Sequence, residues 1–478
     1  MEPSRSHSSQ SRWGLLFAVP LCVGLAAASP ALANQGGGDP SPVDYGGPVK
    51  KTAPVKTTAS SQRTGLGAFL KRLFNIEDAA PGPATVSRRS ARRFVPRETA
   101  PSGMPPEGEA RFAGDQVIVR YQLNAPRSRM DALIRRLGNL RHLEARTFRL
   151  AGVTVHRYRI LDGTPVGDVI EDLEADPTVV YAQPNYDYAG TQAAAAAAPN
   201  PQYALARLGI IDAHALATGE GVPVAVIDSQ IDGAHPEFAG TQIEMLDATG
   251  EDAGDADAHG TSIAGVIAAQ GTLTGIAPKV RLVGIRAFLP NADGSARSTT
   301  WRIASALDAA WRAQARVVNM SFAGPEDPLV GDAIAGVARR GMIGIAAAGN
   351  DGPGARPLYP AAYPGVIAVT AVDKDDLVYD HANRGDYIAL AAPGVDILAP
   401  VPGNGYNITS GTSLAAAHVS GLAALLLSRA PGLTADDVAG ILSSSAADLG
   451  EPGLDAVFGA GLPDAVTVLN GGTKKILN

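Results

Sequence analysis

Cysteine is nearly absent from this chain: its 478 residues contain one, Cys22. Cys22 lies inside an amino-terminal apolar run, so the mature chain would carry no thiol and no disulfide, and stability has to come from core size or bound ions. Apolar runs long enough for a membrane are also missing. The longest candidate, Leu15 to Ala28, is shorter than a comfortable bilayer span, and no later segment competes with it. Basic residues are scarce toward the carboxyl end, where residues 201–478 hold 16 lysines and arginines against 29 acids, a net of −13. Such a surface lacks the basic face that nucleic-acid binding needs.

What is present begins with Arg5 and Arg12, the apolar run, and Ala31-Leu32-Ala33. That series of charged, apolar and small residues reads as a secretory signal over residues 1–33, so the protein is expected to be exported, either secreted or periplasmic. Residues 34–110 read as a flexible Pro/Ser/Gly-rich leader. Between Lys50 and Arg97, 11 basic residues face two acidic ones, too little apolar surface to fold on. Inside it, Gly65 to Phe74 has apolar residues at helical spacing, which reads as a transient helix in a disordered tail.

Periodicity returns at Gln116, where Val117, Val119 and Tyr121 alternate with Ile118 and Arg120 as in a strand. A helix pattern with Met130, Leu133, Ile134 and Leu137 follows, then two strand-like runs over Leu143 to Ile160 with Gly152 near their junction. A second helix after Pro165 turns Val166, Val169, Ile170 and Leu173 inward, and Val179 to Ala182 reads as a last strand. The sum over residues 111–187 is β-α-β-β-α-β, a small α+β, ferredoxin-like open sandwich. Residues 188–202, with an alanine run and Pro199-Asn200-Pro201, read as an exposed linker where nicking is easy.

From residue 203 to 470, apolar β-branched runs such as Val222 to Ile227, Val317 to Met320 and Ile343 to Ala347 alternate with alanine-rich helical stretches. This is the pattern of an α/β fold with a mostly parallel sheet covered by helices on both faces. In such folds chemistry collects at the carboxyl ends of strands. Asp228 closes the first strand, His259 starts a helical stretch, and Ser413 opens another. Taken singly, Asp228 is a turn acid, His259 a cap and Ser413 a helix N-cap. Together they supply a nucleophile, the base that activates it and the acid that orients the base.

The segments Val224 to Ser229, His259-Gly260-Thr261-Ser262 and Gly411 to His418, in the order Asp, His, Ser, resemble the subtilisin-like serine proteases, and the resemblance runs from about Tyr203 to Leu469. It implies an endopeptidase with Asp228, His259 and Ser413 as catalytic residues. Asn350, in Ala346 to Gly352, is then the oxyanion donor. Losing such a donor raises the barrier by roughly 3–4 kcal/mol, a magnitude measured on subtilisin itself rather than derived for this chain. The resemblance also implies that Ser321, Phe322, Ala323 and Gly324, with Ala347, Ala348 and Gly349, bracket an extended substrate. Leu358 then shortens the side-chain pocket toward small or medium apolar groups, and the Tyr359–Pro360 bond is a candidate cis peptide. Residues 111–187, ending Tyr181-Ala182-Gln183-Pro184-Asn185-Tyr186, resemble an inhibitor-type propeptide that acts as chaperone and temporary inhibitor, cut within the linker. Residues 471–478 are a tail.

The expected partners are protein or peptide substrates and the chain's own propeptide, with no nucleic acid, no stable membrane span and a monomeric state. The chemistry requires no cofactor and no catalytic metal. Calcium could be held as a structural ion by Glu251, Asp252, Asp255 and Asp257, but their spacing matches no EF-hand loop and a solvated acidic loop is the preferred reading. His235 and His418 read as structural. Three residues depart from the family pattern: Gln230 replaces a glycine, a source of strain if that backbone needs positive φ, and Leu414 and Ala417 replace Met and Pro after the nucleophile. The competing reading is an exported pseudoprotease that binds peptides or a partner without cutting. A different hydrolase with the same triad lacks a Gly-x-Ser-x-Gly elbow at Ser413.

Overall fold

The structure is a computed structural model that describes residues 102–190, 193–194, 202–251, 254–291 and 296–477. The expected signal, most of the leader, Cys22, the Gly65 to Phe74 stretch, most of the linker and Asp252 lie outside the described residues.

The amino-terminal region runs β1 (Phe112–Tyr121), α1 (Arg127–Leu137), β2 (Leu140–Phe148), β3 (Val153–Ile160), α2 (Val166–Glu174) and β4 (Val179–Gly190). Its strands pair antiparallel in the order β2-β3-β1-β4. Alternation assigns the two faces of the sheet. Val117, Val119 and Tyr121 pack with Leu133, Val169, Ile170 and Leu173 of the two helices. Ile118 points the other way and joins a core that includes Trp301 and Ile303. Gly138 ends α1 in the left-handed conformation that lets the chain reverse into β2.

The carboxyl-terminal region is a seven-stranded sheet. Its strands are β5 (Pro223–Asp228), β6 (Gln242–Asp247), β7 (Arg281–Arg286), β9 (Val317–Met320), β11 (Ile343–Ala347), β12 (Val366–Val372) and β13 (Ile388–Pro393). Two short strands, β8 (Ala296–Thr299) and β10 (Phe322–Ala323), lie outside it. The order is β13-β12-β11-β9-β5-β7-β6, and every neighbouring pair is parallel. Helices α3 (Ala258–Ala268) and α6 (Thr412–Arg429) share a core with Val224 and Val226 on one face, whereas α4 (Thr300–Arg312) and α5 (Pro328–Arg339) share one with Ala225 and Ile227 on the other. Consecutive residues of β5 thus bury in opposite directions, which explains its unbroken apolar sequence. The strand order reverses beside β5, so a crevice opens at its carboxyl end, where Asp228 sits.

Three boundaries differ from the sequence reading, one of them at the carboxyl end, where a tail was expected from residue 471 and the helix Ala465–Leu477 runs across that position. The leader was expected to extend to residue 110, yet residues 102–110 are packed against the first sheet. Ser102 Oγ and the Gly103 N–H donate to Glu174 at 2.6 and 2.9 Å, and a Cβ on Gly103 would sit 2.0 Å from the Ala182 carbonyl oxygen. The linker was expected from residue 188, yet β4 continues through Tyr188 and Ala189 to Gly190. Its extension is paired on both sides by strands of the second region.

Candidate active site

Three elements converge on the crevice. Asp228 ends β5 and is 3% exposed. Its Oδ1 accepts from His259 Nδ1 at 2.6 Å and from the Ser229 N–H at 2.8 Å. Its Oδ2 is buried with no hydrogen-bond partner among the described residues, which leaves the imidazole as the main group answering its charge. His259 stands in the first turn of α3, and that turn is held to the end of β5 by side chains. Asp257 caps the helix by accepting from the His259 N–H at 2.9 Å, while Ser229 Oγ donates to Asp257 at 2.7 Å and accepts from the Gly260 N–H at 3.0 Å. Gly260 is required by proximity, since a Cβ there would lie 2.6 Å from the Ser229 carbonyl oxygen.

Ser413 is the second residue of α6, where the positive end of the helix favours developing negative charge. Its Oγ lies 3.2 Å from His259 Nε2 and 3.2 Å from the Ser321 carbonyl oxygen, so its one proton has two acceptors within reach. Burial alone would lower the His259 pKa, but the charge and hydrogen bond of Asp228, with the charge of Asp257, outweigh it and hold the imidazole above its ordinary value. A base of that strength beside a serine hydroxyl is suited to acyl transfer.

The other expected site residues surround this group. Asn350 Oδ1 accepts from the Thr412 N–H at 3.1 Å and from Thr412 Oγ1 at 2.9 Å, which orients the amide and leaves Nδ2 to donate. Ser321 turns its hydroxyl to the Ser413 carbonyl at 3.0 Å. Phe322 and Ala323 pair antiparallel with Gly190 and Ala189, and Gly324 bridges to Tyr359. Ala347 closes β11, and the Ala348 carbonyl accepts from the Tyr387 hydroxyl at 2.9 Å. Gly349 has φ +111°, and a Cβ there would sit 2.6 Å from Leu358 Cδ1, so the glycine and the buried leucine face each other. The Tyr359–Pro360 bond is cis.

His235 caps a short 3-10 turn by accepting from the Glu237 N–H, and His418 is buried with Nδ1 2.8 Å from the Leu414 carbonyl. Burial lowers the His418 pKa to about 4, so it stays neutral. The strain considered at Gln230 does not arise: it is not among the residues with positive φ, and its carbonyl accepts from the Asp257 N–H at 2.7 Å. Of the acids weighed as calcium ligands, Glu251 pairs with Arg302 and Asp257 is the cap of α3. No three potential ligands of the His, Cys, Asp and Glu type converge among the described residues.

Sequence reasoning missed β8 and Asp327. Strand β8, Ala-Arg-Ser-Thr, has no apolar alternation, and its partner is β4, more than a hundred residues earlier. Asp327 caps α5, accepting from the Leu329 and Val330 N–H groups at 3.0 and 3.1 Å. The signal for it was legible in Asp327-Pro328 ahead of an apolar periodic run.

The comparisons with known proteins agree with this geometry. The profile of the subtilase family matches residues 219–461. The chain is 35% identical to the thermophilic serine proteinase of Bacillus sp. (strain AK1) over 287 residues, 57% of this chain and 69% of that protein. It is 35% identical to subtilisin DY of Bacillus licheniformis over 245 residues, 49% of this chain and 86% of that one. Among solved structures it is similar to fervidolysin from Fervidobacterium pennivorans, a keratinolytic enzyme related to subtilisin, with a TM-score of 0.67 and 25% identity over 77% of this chain and 62% of fervidolysin. A parallel sheet with an Asp, a His and a Ser at one crevice, matched by this family over half the chain, places the protein in the subtilase family, the subtilisin-like serine endopeptidases.

Proposed function

We propose that the protein is an exported endopeptidase made as an autoprocessed zymogen, with Asp228, His259 and Ser413 as its triad. Ser413 Oγ attacks the carbonyl carbon of the scissile bond while His259 Nε2 takes its proton, and Asp228 holds the Nδ1–H tautomer and stabilises the imidazolium. Asn350 Nδ2 and the Ser413 N–H donate to the oxyanion. The imidazolium then gives its proton to the leaving amine. Water, activated by the same base, cleaves the acyl-enzyme to release the carboxylate product and regenerate Ser413. All of this is done by side chains and backbone, without a cofactor, and calcium enters at most as a structural ion. The substrates are polypeptides in extended conformation, and the protein works as a monomer.

The observation that carries this reading is the end of β4. Residues 187–190 lie antiparallel between β8 and β10, and Gly190 sits against the His259 ring, at 3.8 Å from the position of a Cβ. A peptide bound by strand addition at a protease crevice would do the same. The preceding residues act as an inhibitor would, by completing helix ends. Gln183 Oε1 accepts from the Leu329 N–H at the start of α5 at 3.1 Å, and Asn185 Oδ1 accepts from the Trp301 N–H at the start of α4 at 3.3 Å. Both amides are buried; Asn185 offers the start of α4 an acceptor, and Gln183 adds a second acceptor to the Leu329 N–H that Asp327 already caps. We therefore read residues 111–187 as an inhibitor-type, ferredoxin-like propeptide, with maturation just past Gly190. The amino-terminal signal supports export, and no described helix is long and apolar enough to cross a membrane.

The test is intact mass and amino-terminal sequencing of the full chain beside its Ser413→Ala variant. A chain cut shortly after Gly190 in the native protein and left whole in the variant supports the reading. Two uncut, folded chains would turn it into the pseudoprotease that binds without cutting.

A further inference from the structure

The residue of β4 that lies two places before Gly190 is Tyr188, which is 1% exposed. Its ring stands edge-on to Phe322 at 6.0 Å and fills the space left by Gly324, where a Cβ would come within 2.4 Å of it. Its hydroxyl donates to Asp327 Oδ2 at 3.1 Å. Asp327 is fully buried, and five groups donate to it: the Leu329 and Val330 N–H, Thr300 Oγ1, Gln183 Nε2 and the Tyr188 hydroxyl. Three of these belong to the catalytic region and persist after maturation. The other two, from Gln183 and Tyr188, leave with the amino-terminal region. A mature enzyme would then present an apolar slot ending in a carboxylate short of donors. Gly190 differs from Tyr188 in this respect, because a Cβ at 3.8 Å from the His259 ring is an ordinary contact and imposes no choice.

We infer that Asp327 is a specificity-determining residue, which selects substrates carrying tyrosine at the position Tyr188 occupies by accepting its phenol O–H. The inference rests on the reading of residues 187–190 as an occupant of the substrate cleft. Its physical basis is that a site built around a hydroxyl discriminates against the analogue lacking one, since the buried acceptor is then left short of a partner. Phenylalanine fills the slot but does not answer the carboxylate, and leucine does neither.

The experiment uses the enzyme matured from the full chain and three internally quenched peptides: the sequence of residues 184–196 and its Tyr188→Phe and Tyr188→Leu versions, with products identified by mass. The expected result is a kcat/KM at least tenfold higher for Tyr than for Phe, with Leu lower still. In Asp327→Ser, which keeps a capping hydroxyl for α5 but cannot reach the phenol, the Tyr to Phe ratio falls toward one. In Gly324→Ala, Tyr and Phe peptides lose rate together and their ratio is kept. Should Asp327→Ser fail to fold, the native ratio and the Gly324→Ala pair decide the matter. Equal cleavage of Tyr and Phe peptides at the same bond by the native enzyme would overturn the role of Asp327 and leave the register of the cleft intact. An enzyme that digests casein but cuts none of the three peptides would overturn the register, and the role of Asp327 with it.

Discussion

In the sheet of residues 112–190 one face is closed by the region's own helices and the other by α4 and α5, whereas the seven-stranded sheet of residues 203–470 carries its own helices on both faces. The smaller region therefore completes its core only by docking. Phe148 stacks edge-on to Trp301 with ring centroids 5.2 Å apart, the Leu150 N–H donates to Asp308 at 2.8 Å, and Arg120 pairs with Asp332 at 2.9 Å. A region of this size buries a smaller share of its surface than one of about 270 residues and is correspondingly marginal alone. The difference teaches that the two regions depend on each other unequally: the larger supplies half of the smaller one's core, and the smaller supplies capping groups to helices the larger already has.

The comparison can be sharpened by damaging each side in turn. The largest effect is expected in the catalytic region. Asp228→Asn leaves the geometry in place but favours the wrong imidazole tautomer, and lowers kcat about 10⁴-fold. The full-chain variant should remain joined to its amino-terminal region in mass spectrometry, and steady-state kinetics on the variant freed of that region by an unrelated protease measures the fall. Next comes Asn350→Ala, with a fall in kcat of about 10²–10³-fold at nearly constant KM, a range that again comes from subtilisin. A proportionate rise in KM would show that the amide binds the ground state instead.

The third strikes the junction. Gln183→Ala with Asn185→Ala removes the acceptor at the start of α4, worth about 1 kcal/mol, and one of two acceptors of the Leu329 N–H, and should speed amide exchange across residues 186–190 by about fivefold or more in an uncut Ser413→Ala background. Unchanged exchange would mean that backbone pairing alone holds the strand. The smallest concerns pH. The imidazole must be neutral to accept the Ser413 proton, and its pKa lies above the ordinary value of about 6.5. The kcat/KM profile should therefore rise with pH through an apparent pKa above that value. Asp257→Asn keeps the cap of α3 but removes one charge that raises the pKa, so the rising limb should move to lower pH.

Much of the larger region was legible because its informative features are local. Strand β5 announces itself by unbroken apolar residues, and Asp228, His259, Asn350 and Ser413 sit in short contiguous segments at strand or helix ends. In the smaller region, alternation along β1 separated Val117, Val119 and Tyr121 from Ile118 and Arg120, but nothing local said that Ile118 would also be buried. The end of β4 was misjudged for a related reason. Gln183, Pro184, Asn185 and Asp187 interrupt any strand pattern, and Gln183 and Asn185 are buried only because helix ends from another region satisfy them. Asp327 gave a visible capping signal, while its contact with the Tyr188 hydroxyl joins residues 139 positions apart.

By itself, then, the sequence determined the parallel α/β architecture, the placing of Asp228, His259 and Ser413 at strand and helix ends, and the presence of a second α+β unit, because these follow from periodicity and from residues adjacent in the chain. Only the tertiary structure decided that β4 runs into the crevice, that β8 and β10 flank it, that Gln230 is unstrained and that a buried carboxylate waits beneath Tyr188. Those features depend on backbone pairing and polar satisfaction between distant segments, and such partners leave no mark on local composition.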